Sequence, residues 1–183
     1  MTRVLIPLAQ GCEELEAITL ADLMVRAGFD VTTAGLDKQP VKASRGMMLM
    51  PDTDLDTALR QDYDLIVLPG GQPGADNLDN DSRLRQRLID MAAADDKYIA
   101  AICAAPKALA HAGILSGRRA TAFPGVLEKL ELDDVTITQD AIVRDGNVIT
   151  SRGPGTAMDF ALTLIELLSD RATSDKVEAG LAR

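Results

Sequence analysis

Residues Tyr98-Ile99-Ala100-Ala101-Ile102-Cys103-Ala104-Ala105-Pro106 decide how the rest of the chain is read. The uncharged run ending in Tyr-Ile-Ala-Ala-Ile has the composition of a buried strand, and Cys103 follows at once. Two alanines and Pro106 come next. Pro106 suits the first turn of a helix, where its missing N–H is not needed, and Lys107 to Ala112 continues a helical composition. The stretch predicts a strand, a sharp turn and a helix, with a thiol at the turn. Such a turn pushes the side chain at its apex over the carboxyl edge of the sheet, as in a nucleophile elbow. The small residues Ala101, Ala104 and Ala105 leave room for the tight backbone. The helix N-terminus behind Cys103 favours a thiolate, which lowers a cysteine pKa from ~8.5 to about 3.5–7.5. The alternative is a core cysteine, since free cysteine is often fully buried.

Outward from this stretch, strands and helices alternate. Val4 to Leu8 reads as strand one, and Gly11-Cys12 turns the chain. A helix follows from Glu13, with Ala17, Leu20, Ala21 and Met24 on one face and Gly28 as its stop. Phe29 to Ala34 is strand two, and Val41 to Met50 holds two short strands around Ser44-Arg45-Gly46. Asp54 caps a short helix to Arg60. Asp64 to Leu68 is a strand ended by Pro69-Gly70-Gly71, and Asp81 or Ser82 caps the helix carrying Leu84, Leu88 and Met91. After the cysteine helix, Arg119 to Phe123 is expected as a strand. Val135 to Thr138 and Ala141 to Ser151 are expected to form an antiparallel ribbon, with Asp145-Gly146 as its tight turn. Thr156 opens a long apolar-striped helix with a capping-box pattern, and residues 173 to 182 add a short last helix.

Apolar strands alternating with amphipathic helices predict a single α/β domain over residues 1–183. Its fold is a doubly wound, mostly parallel sheet covered on both faces, with a small antiparallel ribbon. Ligands in such folds sit beyond the carboxyl ends of the strands. The composition allows a large core built from Leu, Ile, Val, Ala and Met, because hydrophobic residues make up 46% and aromatics only 3%. The net charge of −9, with no Lys/Arg cluster, argues against a nucleic-acid partner. No apolar run approaches membrane-spanning length, and no signal peptide is read at the N-terminus. Two cysteines in such a chain lead us to expect a reducing cytoplasm, with free thiols.

Three features converge on the carboxyl edge: the glutamates Glu13, Glu14 and Glu16, the pair Gly70-Gly71, and Cys103. Acidic residues in a first helical turn complement the helix dipole. One of the three could instead face Cys103 as an acid or base, its pKa raised by burial and by the thiolate charge. The residues alone do not choose among them. Glycines at 70 and 71 permit a turn, and they let backbone N–H groups approach a developing oxyanion. His111 lies eight residues beyond Cys103, roughly 12 Å along the helix axis, which excludes a Cys–His pair. Cys12 sits on the same edge, either as a small residue or as a resolving thiol. Cys and His form no metal-ligand spacing, and Gly-Gly-Gln-Pro-Gly fits no nucleotide-binding fingerprint.

Four motifs in order carry a wider resemblance: Gly-Cys-Glu-Glu-Leu-Glu (11–16), Val-Leu-Pro-Gly-Gly (67–71), Ala-Ala-Ile-Cys-Ala-Ala-Pro (100–106) and Thr-Ser-Arg-Gly-Pro-Gly-Thr (150–156). Together they resemble the ThiJ/PfpI superfamily, and most closely its parkinsonism-associated deglycase branch. The resemblance implies a flavodoxin-like sandwich, a homodimer and no cofactor. It implies Cys103 as nucleophile, Glu16 as its partner carboxyl, and Gly71 and Ala104 as backbone donors. Arg26 and Arg45 match basic positions of the family and are expected in the site or the dimer contact. Phe123 stands where human-type members carry a histidine, so a proton shuttle by that side chain is absent. The last helix is expected to be shorter than in members where it covers part of the dimer surface or site. The implied activity is cysteine-dependent removal of methylglyoxal, glyoxal or their early adducts on proteins. A redox-responsive chaperone with Cys103 oxidised to sulfinate is the alternative. A protease is disfavoured, because Ala104 follows the cysteine where proteolytic members place a histidine.

Overall fold

The computed structural model describes residues 1–183. In chain order the first half comprises β1 (Arg3–Leu8), α1 (Glu14–Arg26), β2 (Asp30–Gly35), β3 (Val41–Lys42), β4 (Met48–Leu49), β5 (Thr53–Asp54), α2 (Leu55–Ala58), β6 (Leu65–Leu68), α3 (Gly74–Asn80) and α4 (Ser82–Ala92). The second half comprises β7 (Tyr98–Ile102), α5 (Pro106–His111), β8 (Arg119–Ala120), β9 (Thr136–Ile137), β10 (Ile142–Asp145), β11 (Val148–Ser151), a 3-10 turn (Pro154–Thr156), α6 (Ala157–Leu168) and α7 (Arg171–Ala179).

Seven strands form one sheet in the order β10-β11-β7-β6-β1-β2-β5, parallel throughout except for the edge strand β10. Successive side chains of a strand point to opposite faces, so each central strand feeds two cores. Val4, Ile6, Leu65, Val67, Ala100 and Ile102 pack on one face with α1 and α6. Leu5, Ile66, Leu68, Ile99 and Ala101 pack on the other with α3, α4 and α5. Strands buried on both faces need an uninterrupted apolar run, and β6 and β7 have one.

Local signals place several elements as expected. Asp54 accepts a hydrogen bond from Thr57 N–H, and Asp81 accepts from Arg83 and Leu84 N–H, so each caps its helix. The β10–β11 hairpin forms where expected, but its two turn residues are Gly146-Asn147, one position later than expected, because Asp145 still pairs with Val148; Gly146 has φ 62°. Three further expectations are corrected. The segment around Val135 does not join the antiparallel ribbon: β9 pairs in parallel with β8 in a separate two-stranded sheet. The strand expected over Arg119 to Phe123 ends at Ala120. Thr156 caps α6 without a side-chain bond, because its hydroxyl is taken up by Gly153 and Ser151.

Helix α1, after β1, lies on one face, and α3 and α4, after the adjacent β6, lie on the other. This divergence opens a crevice at the carboxyl ends of β1 and β6, with the end of β7 beside it.

Candidate active site

Cys103 stands at the end of β7 with φ 64°, a left-handed backbone that non-glycine residues rarely adopt. Such strain costs about 1–3 kcal/mol and persists only where the surroundings hold it. Here the Cys103 N–H donates to Ser151 O at 3.0 Å, and Cys103 O accepts from Phe123 N–H at 2.8 Å. The elbow is therefore pinned from β11 on one side and from the segment after β8 on the other. Ala104 and Ala105 are buried behind it, and Pro106 is the first residue of α5.

The crevice brings Glu16 to this thiol and gives each of the three glutamates a separate task. Glu16 is fully buried, and its Oε2 accepts from Gly70 N–H at 2.7 Å. Its Oε1 is buried without a hydrogen bond of good geometry. Glu14 turns toward the 44–47 loop and accepts from the N–H groups of Arg45 and Met47 and from the Ser44 hydroxyl. Burial pushes the Glu14 carboxyl up, but these donors outweigh it and hold its pKa below the ordinary value. Glu13, at the N-cap of α1, accepts from the Ser44 hydroxyl at 2.9 Å and faces Arg45 at 3.9 Å.

The electrostatics of the pair reverse one expectation. Burial pushes the Glu16 carboxyl up to about 7, against the opposing pull of the Gly70 N–H and the Cys103 thiol. The Cys103 thiol is also pushed up, to about 12, first by burial and then by the negative charge of Glu16. The Gly71 and Ala104 N–H groups favour the thiolate, but they do not offset those two causes. The lowered cysteine pKa expected from the helix start is thus not found. The carboxyl ionises first, and it holds the proton on sulfur.

Other expected site residues divide. The backbone N–H groups of Gly71 and Ala104 lie against the sulfur and favour its charged form. Gly70 offers no such group: its N–H is used by Glu16. Its lack of a side chain matters instead, since a Cβ there would lie 2.6 Å from Cys103 Cβ and 2.9 Å from Glu16 Oε2. Arg45 lines the cavity over the thiol. Arg26 is excluded from the site, because it lies in the last turn of α1, exposed and paired with Asp22 at 2.6 Å. Cys12 is fully buried and does not line the cavity over Cys103, and burial first of all pushes its thiol up to about 11. His111 lies away from the thiol, bonded to Asp79 at 2.6 Å between α5 and α3.

The cavity over Cys103 has a volume of about 440 Å³ and is also lined by Gln72, Phe123, Val126, Lys129 and Pro154. Sequence reasoning missed Gln72, Lys129 and Pro154 as site residues. Gln72 could have been found as the neighbour of the glycine pair, but Lys129 carries no local signal. No cluster of His, Cys, Asp and Glu is arranged to hold a metal ion, and no helix is long and apolar enough to cross a membrane.

The chain as a whole has close counterparts in sequence and fold. The DJ-1/PfpI family profile matches residues 2–167. The Parkinson disease protein 7 homolog of Danio rerio is 43% identical over 182 residues, covering 98% of this chain and 96% of that protein. The glutathione-independent glyoxalase DJR-1.2 of Caenorhabditis elegans is 35% identical over 165 residues, covering 90% of this chain and 87% of that one. The crystal structure of Drosophila melanogaster DJ-1beta superposes with a TM-score of 0.94 at 39% identity, covering 99% of this chain and 97% of the other. With likeness of that degree along nearly the whole of each chain, in sequence and in fold alike, this protein belongs to the DJ-1/PfpI family.

Proposed function

We propose that this protein is a cysteine-dependent glyoxalase, acting on methylglyoxal, glyoxal or their early adducts on proteins. The observation that carries the reading is the buried Glu16 carboxyl held by Gly70 beside a strained Cys103. A relative named as a glutathione-independent glyoxalase supports it.

The chemistry follows from the order of ionisation. With Glu16 ionised and the thiol neutral, the sulfur attacks the aldehyde carbon while Glu16 takes the thiol proton and passes it to the carbonyl oxygen. The hemithioacetal then loses its C1 hydrogen as a proton to Glu16. The electron pair moves into an enediol, and reprotonation at C2 leaves a thioester. Water cleaves the S–C bond and releases the 2-hydroxy acid, with the proton returned to sulfur. The aldehyde carbon is oxidised by two electrons and its neighbour is reduced by two, so the redox change is internal. The Gly71 and Ala104 N–H groups stabilise charge developing on sulfur. The reading includes a homodimer, for which Leu15, Ile18 and Val25 form an exposed apolar row on α1.

Lactate release from methylglyoxal, followed by NMR with catalytic amounts of protein, tests the reading. Multiple turnovers that vanish in Cys103→Ala are expected. Consumption limited to one equivalent per thiol would overturn it.

A second reading rests on the raised pKa and free Oε1 of Glu16. In it, two equivalents of peroxide each transfer one oxygen to Cys103 and release water, and the neutral carboxyl donates to the resulting sulfinate. The oxidised protein then acts as a chaperone. Peptide mass spectrometry after mild peroxide should find two added oxygens on Cys103 and none on Cys12. Oxidation of Cys12 first would exclude this reading.

A further inference from the structure

The cavity over Cys103 is larger than a three-carbon aldehyde requires, and its two walls differ in chemistry. At about 440 Å³ it falls among pockets that take ligands well above the size of methylglyoxal, roughly 300–1,000 Å³. One wall comes from a single segment, which begins with Phe123 and Pro124, continues through Val126 and ends at Lys129. Phe123 starts it beside the elbow, where its N–H is bonded to Cys103 O. Phe123 is 49% exposed, an apolar residue that a ligand stem can cover.

The cavity is richer in cations than the whole chain. The protein carries −9 overall, yet the lining holds two cations, Arg45 and Lys129, against the single rim carboxylate of Glu13. Arg45 lies 3.9 Å from Glu13 and offsets it. Lys129 makes no ion pair, whereas the other cation of the lining, Arg45, has Glu13. The second cation, Lys129, is balanced only by the negative charge of the Cys103–Glu16 pair, and an anion bound directly against that pair would be repelled. An anion separated from the reacting carbonyl by an apolar stem would not be.

We propose that the segment from Phe123 to Lys129 selects α-oxoaldehydes whose apolar stem ends in a carboxylate, the stem lying on Phe123 and Val126 and the carboxylate pairing with Lys129. This inference rests on the aldehyde chemistry proposed above. For 4,5-dioxopentanoate the same internal redox step adds one water and yields 2-hydroxyglutarate.

The test measures kcat/KM for 4,5-dioxopentanoate and for methylglyoxal and takes their ratio. The parent is expected to favour the carboxylated substrate. Lys129→Met should lower the ratio about fivefold, the strength of a well-placed, partly exposed ion pair, and Lys129→Arg should restore it. A binding arm needs no turnover: levulinate and 2-pentanone share a stem, and each is tested for protection of Cys103 against iodoacetamide. Levulinate should protect at about fivefold lower concentration, and Lys129→Met should remove that advantage. An unchanged ratio in Lys129→Met, or equal protection by the two ketones, overturns the carboxylate site. Absence of methylglyoxal turnover, with levulinate protection that Lys129→Met abolishes, overturns the aldehyde chemistry and supports the carboxylate site.

Discussion

At Glu16 a carboxylate is buried with one good hydrogen bond, from Gly70, where in water it would have several. Burial away from those partners pushes its pKa up to about 7, against an ordinary 4.5. The folded protein binds a proton there more readily than the unfolded chain does, so stability falls as pH rises from about 4.5 through about 7. Above that window the penalty is on the order of 3 kcal/mol. Glu16→Gln is expected to raise stability at pH 8 by about 1–2 kcal/mol and to flatten its dependence between pH 5 and 7, read by urea denaturation. The same substitution removes the base. Parent kcat/KM should rise as pH passes through about 7, the value at which Glu16 ionises, and Glu16→Gln should lose at least ~10²-fold and that rise with it. A parent profile flat from pH 5 to 9 would show that Glu16 is not the titrating base.

The elements around the pair are held by backbone contact between loops. A Cβ on Gly74 would lie 2.4 Å from Cys12 N, and one on Gly71 would lie 2.4 Å from Glu13 N. Glu13 N–H donates to Gly70 O at 2.9 Å, which ties the start of α1 to the end of β6. Gly74→Ala must force these loops apart, so a loss of about 2–3 kcal/mol is expected, together with slower alkylation of Cys103 as the Gly71 donor moves. Gly28 has φ +81° and nothing within 4 Å of a built Cβ. Gly28→Ala should therefore cost only about 1–2 kcal/mol of backbone strain and leave the alkylation rate unchanged. Equal effects of the two substitutions on that rate would contradict the loop contact as the cause.

Over the whole molecule, stability comes from the two cores that the sheet separates. Phe160 of α6 is fully buried in the core shared with α1, so Phe160→Ala is expected to cost about 3–5 kcal/mol by urea denaturation. The opposite face of α1 exposes Leu15, Ile18 and Val25 at 50%, 43% and 59%. For the proposed homodimer, Ile18→Asp should shift sedimentation to the monomer and leave the circular dichroism unaltered, because the side chain lies outside both cores. A parent protein that sediments as a monomer at tens of micromolar would exclude a dimer of useful affinity.

From the sequence alone, the features settled by residues a few positions apart could be read: the apolar strands, the Asp54 cap, the hairpin around Gly146 to within one residue, and the elbow made of alanines, Cys103 and Pro106. Each is determined by local sterics and hydrogen bonding, which adjacent side chains suffice to specify. The Cys103–Glu16 pairing was legible only through family motifs. Three glutamates share one helical turn, and each residue rotates the direction by about 100°. Docking of Ala17, Leu20, Leu23 and Met24 into the core fixes that rotation, and it points Glu16 alone at the thiol. The use of Gly70, the parallel pairing of β9 and the raised thiol pKa likewise waited for the tertiary structure. They depend on burial and on partners far along the chain, 54 residues in the case of Gly70 and Glu16, and Coulomb and desolvation energies act through space rather than along the sequence.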